Sequence, residues 1–117
     1  MRKPDTCGVE VSAQELVVAR RREEALEPLR SFANTAEGQQ ALIRYLRRAG
    51  RGVRVCLEAT GRYGLDLALA LSAPAGIEVM VANPRAVRPF ATALRQRRKN
   101  DPLDAGVLEQ FAARLPF

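Results

Sequence analysis

Four carboxylates stand where the sequence could do chemistry: Glu10, Glu58, Asp101 and Asp104. Glu10 is flanked by Val9 and Val11, and Glu58 closes the apolar run Val53-Arg54-Val55-Cys56-Leu57. Asp101 and Asp104 are three residues apart, a spacing that puts both on one face of a helix. Hard divalent cations such as Mg²⁺ or Mn²⁺ take oxygen ligands and bridge carboxylates to phosphates. Two such ions about 4 Å apart stabilise the attacking and leaving oxygens of phosphodiester cleavage. Each acid also has a purely structural reading. Glu10 would then face solvent from its strand, and Glu58 would simply end one. Asp101 would be an N-cap, with Pro102 at N1 and Asp104 in the first turn. Both readings can hold at once, because a carboxylate has several lone pairs.

Composition narrows the alternatives. There is no His among the 117 residues, which excludes a Ser-His-Asp triad, a His general base and a His metal ligand. The length fits one domain, residues 1–117. Hydrophobic residues are 47% and charged residues 27%, so a folded core is expected. Aromatics are only 5%, so Leu, Val and Ala must build that core. Cys7 and Cys56 are too few for a disulfide scaffold or, without His, a zinc site, and read as reduced core thiols. No apolar run approaches the roughly 18 residues of a membrane-spanning helix, and no signal-peptide core follows Met1. A cytoplasmic protein without membrane contact is expected. The net charge is +6 and comes almost wholly from Arg, which points toward a polyanionic partner.

The elements that must position the acids follow from the hydrophobic pattern. Thr6–Ser12 and Glu15–Arg20 read as two strands joined by a short turn, hence an antiparallel hairpin. Arg21-Arg22-Glu23-Glu24 reads as a second turn, Arg20-Arg21-Arg22 being taken as polar. A third strand is placed near Pro28 to Phe32. Asn34 or Thr35 caps a helix, with Glu37 placed for a capping box and Gly50 at its end. The strand Val53–Leu57 leads to Glu58, then a helix from Thr60-Gly61 to about Leu71. Ile77–Val81 is the next strand, Asn83-Pro84 begins another helical turn, and a last helix runs from about Asp101 to Arg114. The order β-β-β-α-β-α-β-α-α predicts an α/β fold. Its mixed five-stranded sheet has three antiparallel N-terminal strands and flanking helices.

Three segments together carry a resemblance: Gly8-Val9-Glu10-Val11-Ser12, Leu57-Glu58-Ala59-Thr60-Gly61-Arg62-Tyr63, and Lys99-Asn100-Asp101-Pro102-Leu103-Asp104-Ala105. Between the last two lies Gly76-Ile77-Glu78-Val79-Met80-Val81-Ala82-Asn83-Pro84. The chain resembles the N-terminal domain of bacterial insertion-sequence transposases of the DEDD type. The resemblance implies a RuvC-like fold of the ribonuclease H superfamily and four acids around Mg²⁺ or Mn²⁺. Carried over, those acids are Glu10, Glu58, Asp101 and Asp104. It also implies DNA as substrate, a guide RNA and a second, serine-bearing domain. The chain departs from the pattern at Glu10, where the family usually has Asp, and in length. Ser12, Ser31 and Ser72 are its only serines, and none stands in a matching context. A truncated transposase or isolated domain is therefore expected. The alternative is a non-catalytic module that binds DNA or RNA, or pairs with a full-length transposase or with itself.

Arg85, Arg88, Arg95, Arg97, Arg98 and Lys99 precede the Asp pair with no acid among them. They are candidates for holding nucleic-acid phosphates, and the alternative is a solvated helix face. Tyr63 is a candidate for base stacking or for packing. Gly61 and Gly64 lack the lysine and spacing of a phosphate loop.

Overall fold

The computed structural model describes residues 4–48, 50, 52–58, 61–82, 85 and 105–114. The strands are β1 (Asp5–Val11), β2 (Glu15–Arg22), β3 (Ala25–Leu26), β4 (Arg30–Ala33), β5 (Val53–Glu58) and β6 (Ile77–Ala82). The helices are α1 (Ala36–Arg47), α2 (Gly61–Ser72) and α3 (Ala105–Arg114). The helical turn expected at Asn83-Pro84 and the start of the last helix at Asp101 lie outside the described residues.

The sheet runs β3-β2-β1-β5-β6, with β4 also paired to β2. β1 is antiparallel to β2 and parallel to β5, and β5 is parallel to β6. The α/β class and the mixed sheet agree with the sequence pattern. The strand count does not: among the described residues there are six strands where five were expected. The extra one arises at the β2 edge. Partners β2–β4 sum to 48 (Glu15↔Ala33, Val18↔Arg30), whereas partners β2–β3 sum to 47 (Arg22↔Ala25). One additional residue is therefore accommodated between β3 and β4, as in a bulge. Pro28 sits in that gap, where its missing N–H disturbs no ladder.

Arg20-Arg21-Arg22 is not a turn. All three belong to β2, and only Glu23 and Glu24 turn, at φ 50° and 72°. Two left-handed residues between paired Arg22 and Ala25 match the twist of a tight hairpin. At α1 the cap is Thr35, whose Oγ1 accepts from Gly38 N at 3.0 Å. Asn34 and Glu37 do not form the capping box. Asn34 instead donates to Ser12 O and accepts from Gln39, tying the helix start to the first hairpin. Gly50 follows the helix at φ 70°, which suits a glycine.

Alternation along the strands sorts the two faces. Cys7, Val9, Leu16, Val18, Val55 and Leu57 pack under Leu42 and Leu46 of α1 and Leu67 and Leu71 of α2. Cys56 and Ala82 face the other way, against Val107, Leu108, Phe111 and Ala112 of α3. The result is three layers, helices on both faces of one sheet.

The two thiols are free and buried on opposite faces, as core residues. Burial pushes Cys7 from 9.0 up to about 12, against the smaller pull of the Arg20 charge. Burial pushes Cys56 equally, to about 12. A thiol with a raised folded pKa keeps its proton after the unfolded chain has lost it. Its stabilising contribution is complete below about pH 9 and is lost as pH rises toward about 12. The slope is about 1.4 kcal/mol per pH unit for each thiol. Mass spectrometry after iodoacetamide treatment at pH 8 is expected to show no label on the native protein and two labels in urea.

Candidate metal and nucleic-acid site

β1 and β5 are neighbours in parallel register, with Gly8 opposite Cys56 and Val9 opposite Leu57. Glu10 and Glu58 are the next residue on each strand. In-register residues of parallel strands point to the same face, about 4.8 Å apart along the sheet. By alternation that face is the one bearing Gly8, Cys56 and α3. Glu58 is also paired with Ala82, which packs against α3. Both carboxylates are half-buried at the carboxyl ends of their strands. The structure thus brings together two of the four expected acids. Asp101 and Asp104 lie outside the described residues, as do Arg88, Arg95, Arg97, Arg98 and Lys99. Arg85 is described and exposed. Tyr63 lies in α2, and its side chain is outside the description.

α3 crosses this face closely, and Gly8 is the reason. A Cβ there would stand 2.1 Å from Ala105 O and 2.2 Å from Glu109 N. Ala19, opposite Gly8 on β2, is also small and fully buried. These two small residues let the helix backbone descend onto the sheet. Ala105 O and Glu109 N both lie against Gly8, and the Glu109 side chain accepts from Thr6 Oγ1, toward the start of β1.

Glu109 is a carboxylate that the motif pattern does not single out. It is 0% exposed, and besides Thr6 it accepts from Arg21 Nε at 3.3 Å. It pins α3 to β1 and β2. A signal was present: Ala105, Leu108, Glu109 and Ala112 fall at i, i+3, i+4 and i+7, so Glu109 interrupts an apolar stripe.

Among the described residues, no three of Cys, Asp and Glu converge to hold a metal ion. Two carboxylates side by side are a hard oxygen donor pair, and that chemistry fits Mg²⁺ or Mn²⁺. The transposase model of the DEDD family of IS110-type elements matches residues 7–116. The chain belongs to this DEDD transposase family. No curated protein matches the chain. Among solved structures, the crystal structure of an Aquifex aeolicus member of the Ppx/GppA protein family superposes with a TM-score of 0.42. The identity is 10%, over 78% of this chain and 39% of that one. A structural study of the Aquifex aeolicus PPX-GPPA enzyme gives 0.42 and 12%, over 81% and 42%. The transposase chain spans about two fifths of the length of either. No helix among its described residues is long and apolar enough to cross a membrane.

Proposed function

We propose that residues 1–117 form the RuvC-like N-terminal domain of a DNA transposase, in which Glu10, Glu58, Asp101 and Asp104 hold Mg²⁺ or Mn²⁺. What supports this reading is that Glu10 and Glu58 each follow the last paired residues, Val9 and Leu57, of adjacent parallel strands, on the face crossed by α3. Asp104 directly precedes Ala105 in sequence, and the Ala105 carbonyl lies against Gly8. When bound, the cations supply Lewis acidity to both oxygens of a phosphodiester exchange. The chain's own part is to fix the carboxylates at the ends of rigid strands, with one Glu58 oxygen buried. Arg85, Arg88, Arg95, Arg97, Arg98 and Lys99 are proposed to hold backbone phosphates beside them. Complete recombination is proposed to need the serine-bearing domain and the guide RNA as well.

Glu10 has one methylene more than the Asp the family usually carries. That extension moves a ligand oxygen by about 1 Å, and such displacements can cost roughly 100-fold in rate. Binding without cutting is therefore the second reading. Duplex DNA binding is expected to weaken about 1000-fold between 50 and 200 mM salt, if six phosphates are contacted. A Mn²⁺-dependent cleavage assay beside that titration separates the readings. Cleavage lost in Glu58→Gln with binding retained supports the nuclease. Salt-sensitive binding without cleavage favours the binding module, and salt-insensitive binding contradicts the phosphate contacts.

A further inference from the structure

On the other face of the sheet, a cleft of about 340 Å³ opens where the bulge parts β3 from β4. Its walls are Arg22, Glu27, Pro28, Arg30, Tyr45 and Arg48. Arg22 is paired with Glu27 and Asp5, which leaves Arg30 and Arg48 to make the cleft cationic. Arg30 is the distinctive member. Its guanidinium carbon lies 4.5 Å from the Tyr45 ring centroid and 5.7 Å from that of Phe32, while the residue is exposed. The Tyr45 ring is itself fixed. Arg20 lies 5.0 Å from its centroid, and its hydroxyl donates to Glu27 Oε1 at 2.9 Å. Among the described residues, neither Arg30 nor Arg48 has an ion-pair partner, and neither guanidinium donates a hydrogen bond to protein.

We propose that this cleft binds an unpaired nucleotide of single-stranded nucleic acid, its base on the Arg30 guanidinium and its phosphate on Arg48. The proposal does not depend on the acidic site, which occupies the opposite face. Its physical basis is preorganisation. A guanidinium already held against two rings at an exposed position costs little to order on binding. Bases stack on guanidinium planes irrespective of sequence. A duplex offers its bases only as edges in grooves and cannot fill the cleft this way. The volume limits occupancy to about one nucleotide unit.

The test is an NMR titration of the whole chain with the trinucleotides of deoxyadenosine and of adenosine, with inorganic phosphate as a third arm and EDTA present throughout. Either trinucleotide is expected to shift the Arg30 Nε–H and the amides of β4 in a saturable way. Arg30→Ala is expected to weaken that binding about 10-fold, the value of one stacked base. Arg30→Lys, which keeps the charge and loses the plane, is expected to weaken it nearly as much. Arg48→Ala lies at the exposed end of α1 and gives an independent reading in a chain that still folds. Arg44→Ala, on the same helix outside the cleft, is expected to change affinity less than twofold. The proposal is overturned if Arg30→Lys binds like the wild type, or if Arg44→Ala weakens binding as much as Arg30→Ala. It is also overturned if inorganic phosphate produces the same shifts with the same affinity, or if both trinucleotides leave β4 unmoved.

Discussion

Arg20→Ala is expected to lower the unfolding free energy by about 3–5 kcal/mol, the usual cost of removing one partner from a buried pair. Against a total of about 5–15 kcal/mol for a domain of this size, that is a large share. Arg20 is 0% exposed, and each of its three guanidinium nitrogens has a partner. Its Nε and Nη2 donate to Asp5 Oδ2 at 3.0 and 2.7 Å. Its Nη1 donates to Tyr45 O at 2.8 Å, and Nη2 also to Leu46 O at 3.2 Å. One side chain thus closes an ion pair with β1 and caps carbonyls near the end of α1. Truncation removes these donors from a carboxylate that is itself 2% exposed. Arg22 Nε, 3.6 Å from Asp5 Oδ2, offsets only part of the loss. Urea denaturation is the measurement, with an unchanged m-value showing that two-state unfolding persists. The double change Asp5→Leu with Arg20→Met is expected to cost less than Arg20→Ala alone, because no charge is left behind. A loss below 1 kcal/mol for Arg20→Ala would show that the pair contributes little.

The second large effect is expected at Gly8. Gly8→Ala places a methyl 2.1 Å from Ala105 O and 2.2 Å from Glu109 N. Both are backbone atoms, so no rotamer change relieves the clash, and α3 must lift from the sheet. The expected loss is about 3 kcal/mol, the upper end of the usual overpacking cost. Hydrogen exchange locates it: amides of α3 are expected to lose protection while the β1–β2 pairing keeps its own. Uniform loss across the sheet would show that Gly8 serves the strand rather than the helix seat. Lifting α3 also moves Ala105, the sequence neighbour of the proposed ligand Asp104. Metal affinity is therefore expected to fall in Gly8→Ala although no carboxylate is altered.

The long strands and the helices are legible because their signals are local. Alternation in Thr6–Val11, the apolar run ending at Glu58 and the helical spacing of Leu42, Ile43 and Leu46 each specify an element within a few residues. The placement of Glu10 and Glu58 in strands follows from the same patterns. Their side-by-side register does not, since it depends on how β1 and β5 align across more than 40 intervening residues. Arg20 shows the clearest limit. A run of three arginines before two glutamates looks like a solvated turn. What buries Arg20 is Asp5, fifteen residues earlier, and the carbonyls of a helix not yet formed in sequence order. The split between β3 and β4 is equally non-local, because it is defined only against β2. Glu109 was within reach, standing at a stripe position of its helix.

The central claim is that Glu10 and Glu58 jointly hold a divalent cation. Titration of Mn²⁺ into the protein, followed by calorimetry, tests it most directly in the wild type, Glu10→Gln and Glu58→Gln. These near-isosteric changes remove charge while sparing the strands. The account expects saturable binding by the wild type that weakens at least tenfold in each variant, with urea stability held within about 1 kcal/mol. Equal Mn²⁺ affinity in all three proteins, or no binding in any, would contradict it.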